Sequence, residues 1–213
     1  MNEILPTHKQ YEDKCVRETM SKHGAEAEIM YGLLNTFIVG FNLVTSFTRE
    51  EGKNDVTYAL IFLVTHSFHS MLCSAKIMLK GYYSQAASII RTSVEDWFIC
   101  CDCKSNIKTL DAIINNSDRI PSRGELSFKQ MAIRIKAEKV YEQDYAHASK
   151  FSHPSSLGMA ILNDLKTNLL RIAPTYEEGI FLDCAKLWIR NSLRMTEHMK
   201  YILDSIDQQK AEQ

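Results

Sequence analysis

Only 8 glycines and 4 prolines punctuate the 213 residues. A fold of many short strands needs turn-formers every few residues, so this scarcity argues for long helices. Charge of one sign is also missing. The 25 Lys and Arg against 26 Asp and Glu leave a formal net charge of -1. The chain as a whole has no pull on a polyanion, and any RNA contact needs a local basic patch. The opening MNEILPTHKQYEDK lacks the basic start and apolar run of a secretory leader. The six cysteines are therefore read as reduced thiols in a cytoplasmic protein. Cys100 and Cys103 would need two further zinc ligands, which no second C-x-x-C or H-x-x-x-H supplies, so no metal or other cofactor is expected. The P-loop, the dinucleotide-binding glycine fingerprint, the nucleophile elbow and H-E-x-x-H are all absent. Glu197 and His198 are adjacent rather than three apart, unlike the E-x-x-H pairs of di-iron bundles.

What is present is helical periodicity. Over residues 79 to 103, Ala86, Ile89, Ile90, Val94, Trp97, Phe98 and Cys101 step by three or four. They form one wide apolar face, and Gly81 breaks the stretch from what precedes it. Arg91 and Glu95 sit one turn apart beside that face. A charge set among apolar residues must be paired, so these two are either an internal clamp or part of a site.

The other helices follow in order. Residues 6 to 23 make a polar amphipathic helix and 25 to 49 the next. Residues 55 to 80 make a third, with His66, His69, Ser70 and Cys73 along one side as hydrogen-bonded groups. The runs 29 to 48 and 56 to 75 carry no Asp, Glu, Lys or Arg and reach membrane-spanning length. Asn35, Asn42, His66 and His69 within them are expensive in lipid, so a soluble bundle is expected. After a short helix over 107 to 115, Ser122 with Glu125 offers a capping box for another. Tyr141, Tyr145, Ser149 and His153 are spaced by four, on one side of a helix that Pro154 ends. There the helix dipole favours a protonated His153, as a site residue or as a cap. Residues 156 to 172 read as an amphipathic helix or a pair of turns. Thr175 with Glu178 caps a last helix to about Ile206. Its inward residues are Phe181, Cys184, Leu187, Trp188, Asn191, Met195, Met199, Ile202 and Ile206.

The expectation is all-α, a single bundle of about seven helices over 1–213. Residues 1–23 form an N-terminal extension, 24–206 the core bundle and 207–213 a frayed tail. The helices carry more apolar surface than one small bundle buries, which points to a homodimer.

GYYSQAASIIRTSVED together with YAHASKFSHPSSLG resembles a bacterial all-helical family of unknown function. That family joins a G-Y-x-x-x-A-x-x-x-x-R-x-x-x-E helix to a Y-x-x-x-S-x-x-x-H element and is similar to the HEPN superfamily of nucleotide- and RNA-binding helical domains. The resemblance picks out Gly81, Tyr82, Ala86, Arg91, Glu95, Tyr145, Ser149 and His153. It implies a HEPN-like bundle that binds or cleaves RNA, or binds a nucleotide, in a defence or toxin–antitoxin setting. Arg91, Glu95 and His153 would be its catalytic residues, and Tyr82, Tyr145 and Ser149 its binding residues. HEPN ribonucleases carry Arg and His on one helix with four to six residues between them. Here Arg190 and Arg194 precede His198 by seven and three intervening residues. Arg17 and His23 have the right count, but on the N-terminal helix. The alternative is a non-catalytic protein–protein interaction module, in which Arg91 and Glu95 hold the core.

Overall fold

The computed structural model describes residues 7–44, 55–115, 124–152, 163–164, 169–170 and 174–211. Seven helices carry the fold: α1 His8–Val44, α2 Asp55–Leu79, α3 Tyr83–Asp102, α4 Ile107–Ile114, α5 Phe128–Arg134, α6 and α7 Glu178–Ala211. Helix α6 runs as Glu138–Val140, a π-helical turn Tyr141–Tyr145, and Ala146–Ser152. The expected all-α class is the one observed.

Four long helices, α1, α2, α3 and α7, enclose one contiguous apolar core. Gly81, at φ +88°, makes the turn between α2 and α3, a backbone conformation that L side chains rarely adopt. A Cβ there would also come within 2.9 Å of Cys15 Sγ and 3.1 Å of the Thr175 backbone. This turn sends α3 back antiparallel to α2. Contacts Ser93–Asn191 and Cys101–His198 ascend both chains together, so α7 runs parallel to α3. All nine residues expected to face inward on α7 are buried, with Trp188 fully so and its Nε1–H donating to Met71 O at 2.9 Å. Helix α6 lies antiparallel along the outer side of α3, where Tyr145 packs on Phe98 and Ser84 Oγ donates to Phe151 O.

Four boundaries differ from the sequence reading. The two N-terminal helices form one helix kinked at His23 (φ −134°, ψ 35°). Cys15, Thr19 and His23 are buried, so the N-terminal segment packs on the bundle rather than extending from it. The His23 ring packs on Phe181 and lies 3.5 Å from Glu178 of α7. Helix α5 is capped by Ser127, which accepts from Gln130 N; Ser122 lies outside the described residues. Within 156 to 172, read as an amphipathic helix or a pair of turns, the described residues are a short ladder: Asn163–Asp164 pairs antiparallel with Leu169–Leu170. The described ladder spans only two residues on each side. The final helix continues through Ala211, so most of the tail expected to fray is helical.

Candidate functional site

The two stretches singled out in the sequence meet. Arg91 Nε lies 3.2 Å from Glu95 Oε1, one turn along α3. Across the α3–α6 contact, the Arg91 guanidinium carbon stands 5.9 Å from the centre of the Tyr145 ring. The Tyr145 hydroxyl hydrogen-bonds to Glu95. Both charged side chains are partly buried, 26% exposed for Arg91 and 19% for Glu95. Burial pushes the Glu95 carboxyl up, against the pull of Arg91 and the Tyr145 hydrogen bond. Burial, then the Glu95 charge, pushes the Tyr145 phenol up as well. The Glu95 carboxyl is thus held partly buried between a guanidinium on its own helix and a phenol on α6.

The π turn places a second charged group one residue away. Asp144 is 1% exposed and is gripped by two arginines of α7: Arg190 Nη2 reaches Oδ1 and Arg194 Nη1 reaches Oδ2, each at 2.5 Å. Arg194 also lies 5.4 Å from the Trp97 ring, while the Arg190 side chain is 48% exposed. Arginines from α3 and α7 therefore converge on the five residues Tyr141–Tyr145. An α-helix would carry Asp144 and Tyr145 at a different pitch. The wider π turn sets Tyr145 toward α3 and stacks it on Tyr141 at 5.1 Å, with Asp144 toward α7.

Not every expected residue joins this cluster. Tyr82 belongs to a separate one at the start of α3. Its hydroxyl donates to Glu12 Oε1 at 2.9 Å and lies 2.8 Å from His8 Nε2, with Lys80 on the same carboxylate at 3.1 Å. Burial, with Glu12 as hydrogen-bond partner, pushes the Tyr82 phenol up to about 12, so it is a donor fixing α1 to α3. Ser149 turns its hydroxyl back to Tyr145 O at 2.8 Å. His153 lies outside the described residues.

Helix α7 also shows why its arginine–histidine spacing differs from a ribonuclease motif. His198 is 3% exposed, 3.6 Å from Cys101 Sγ, and burial pulls its imidazole down to about 3. A neutral ring in the core cannot attend a phosphate in solvent. The three thiols at the end of α3 are equally unreactive: burial raises Cys101 and Cys103 to about 12 and pushes Cys100 well above the ordinary thiol range. Among the described residues, no three His, Cys, Asp or Glu side chains are arranged to hold a metal ion.

No protein-family model, curated protein or solved structure matches the chain. The site therefore rests on its own geometry.

Two further ion pairs escaped the sequence reading. His66 Nδ1 bonds Asp96 Oδ2 at 2.9 Å. His66 lies fifteen residues before Gly81 and Asp96 fifteen after it. An antiparallel hairpin pairs residues equidistant from its turn, so that symmetry was available in the sequence. At the end of α3, Asp102 is held by Arg134 Nε at 2.8 Å and Nη2 at 2.7 Å, with Thr109 Oγ1 at 2.6 Å and Asn106 Nδ2 at 3.1 Å. With Lys129, Lys136 and Lys139 nearby, Arg134 has the sequence surroundings of a solvated basic face. It is instead the forked partner of a buried carboxylate.

Proposed function

We propose that this is a HEPN-like cytoplasmic protein that binds RNA or a nucleotide through the arginine-lined π turn, with Arg91 and Tyr145 on the α3 side and Arg190 on the α7 side. The observation that carries the reading is the convergence of Arg91, Arg190 and Arg194 on Tyr141–Tyr145. With a net charge of -1 on the whole chain, such a local cluster is the feature an anionic ligand needs. Arginine forks fit phosphate oxygens, and the stacked Tyr141 and Tyr145 rings offer a π face of the kind that single-stranded bases stack on. The reading is of binding. Glu95 and Arg91 supply a carboxyl and a cation, and cleavage would require His153 as well. The buried His198 supplies no acid or base to this groove.

The test is fluorescence anisotropy of a labelled mixed-sequence RNA oligonucleotide, with ATP as competitor, against wild type, Arg91→Ala and Arg190→Ala. Contacts to three phosphates give a slope of about -2 for log affinity against log salt. Each variant should weaken binding roughly tenfold, the equivalent of about 1.4 kcal/mol. Folded variants that bind as wild type does, or a wild type that binds neither RNA nor ATP, overturn the reading.

A further inference from the structure

The opposite side of the bundle shows a feature that ligand binding at the π turn does not use. From Ile29 to Val44, α1 carries no Asp, Glu, Lys or Arg. A surface helix ordinarily places its charges on the outward side. Here that side holds Ile29, Tyr31, Ile38, Val39 and Leu43, 45% to 60% exposed, with Gly32, Asn35, Thr36 and Asn42 between them. Its neighbour α2 adds Tyr58 and Phe62, 42% and 61% exposed, and has no such charge from Val56 to Ala75. Of the twelve large apolar side chains exposed among the described residues, seven lie between Ile29 and Phe62, so the exposure is concentrated on one face. Beside it, between α1 and α7, is a groove of about 290 Å³ whose apolar lining includes Phe37, Val39, Leu43, Met199 and Leu203. At its floor Gly40 lets Met199 of α7 close onto α1: a Cβ there would come within 2.8 Å of Met199 Sδ.

We propose that this face is the seat of a second copy of the same chain, packed across a twofold axis with α1 against α1. In a twofold interface each patch must complement itself. A helix face of one charge would set like charges against one another at the axis; Ile29–Val44 and Val56–Ala75 carry no Asp, Glu, Lys or Arg, and the groove beside them adds one charge of each sign, Lys200 and Asp204 of α7. It offers both knobs (Phe62, Ile38) and a hole (the α1–α7 groove), which a twofold interface requires of one surface. The seven side chains present on the order of 600 Å² of apolar surface per copy, against about 800 Å² per partner in a standard interface. Smaller residues between them supply the remainder. A lipid surface is disfavoured by the amides of Asn35 and Asn42, which suit a partly wet protein interface better than hydrocarbon.

The experiment is sedimentation velocity on the full chain at 1 to 100 μM, without detergent, for wild type, Val39→Lys, Phe62→Glu and Ile133→Lys. The last residue is an exposed apolar side chain on α5, against the far side of α3. Wild type and Ile133→Lys should sediment as dimers, whereas Val39→Lys and Phe62→Glu should be monomers with unchanged circular dichroism. The dimer constant should weaken a hundredfold or more. A wild type that stays monomeric at 100 μM overturns the proposal, as does a dimer indifferent to Val39→Lys and Phe62→Glu. Flotation with anionic phospholipid vesicles of a monomeric wild type would assign the face to a membrane and overturn it too. None of these outcomes depends on whether RNA binds.

Discussion

The two sides of the bundle treat charge in opposite ways. Around α3, α6 and the middle of α7, carboxylates are buried and arginines reach in to hold them: Asp144 by Arg190 and Arg194, Asp102 by Arg134, Glu95 by Arg91. Along the outer faces of Ile29–Val44 in α1 and Val56–Ala75 in α2, apolar side chains stand in solvent and Asp, Glu, Lys and Arg are absent. On the first side, removing a buried carboxylate should damage folding, whereas the half-exposed Arg190 and the partly exposed Arg91 should be removable from a folded chain. On the second, adding a charge should leave the monomer's folding alone and act only on association. The difference separates carboxylates that hold the fold from an apolar surface that a single chain leaves uncovered.

The largest effect is expected at Asp144. Asp144→Ala leaves two guanidinium groups without their shared carboxylate, and breaking a buried pair costs about 3 to 5 kcal/mol. For a chain of this length the melting temperature should fall by about 10 °C in differential scanning calorimetry. A fall of a degree or two would mean that the π turn is not fastened by this pair.

A smaller and pH-dependent effect is expected at Asp102. Burial pushes its carboxyl up, but Arg134, Thr109 and Asn106 outweigh that and hold it below the ordinary carboxylate range. A carboxyl lowered in the folded state contributes stability above its unfolded value of about 3.9, and loses it as pH falls through the depressed folded value. Urea unfolding from pH 5 downward should therefore show a loss of stability that Asp102→Asn reduces. At neutral pH the same substitution should cost about 2 kcal/mol. Parallel pH profiles for the two proteins would show that the Arg134 fork contributes nothing measurable.

The smallest effect is expected on the apolar side. Val39→Lys, at a position 60% exposed, should change the stability of the monomer by less than about 0.5 kcal/mol in urea titrations below the dimer constant. A loss of several kcal/mol would mean that this face is part of the core of a single chain.

Much of the architecture was legible in the sequence because it follows from periodicity. The nine inward residues of α7, the break at Gly81 and the discontinuity at His23 are each local signals, a 3.6-residue repeat or a residue that interrupts one. The meeting of α3 with α6 was not legible, since polar residues at four-residue spacing on two helices mark a side of each without fixing which helix packs on which. The π turn was not legible either. Its extra residue is a tertiary compromise, and Tyr141 and Tyr145 at four-residue spacing look the same in an α-helix. Asp144 was hidden for that reason, and its partners Arg190 and Arg194 drew notice only for their spacing to His198. Tyr82 misled because the pattern that includes it is linear, whereas its hydroxyl is claimed by Glu12, seventy residues earlier. The 163–170 ladder escaped because apolar residues at Ile161, Leu165 and Leu169 satisfy a helical repeat.

The most direct measurement is hydrogen–deuterium exchange by mass spectrometry on the wild-type chain, with and without a saturating mixed-sequence RNA oligonucleotide. Ligand binding at the arginine-lined turn predicts new protection in peptides covering Tyr141–Tyr145 and the Arg190 turn of α7, with peptides from Ile29 to Val44 unchanged. Protection confined to α1, or none anywhere at saturating RNA, would contradict the account and leave the arginines as fasteners of the fold.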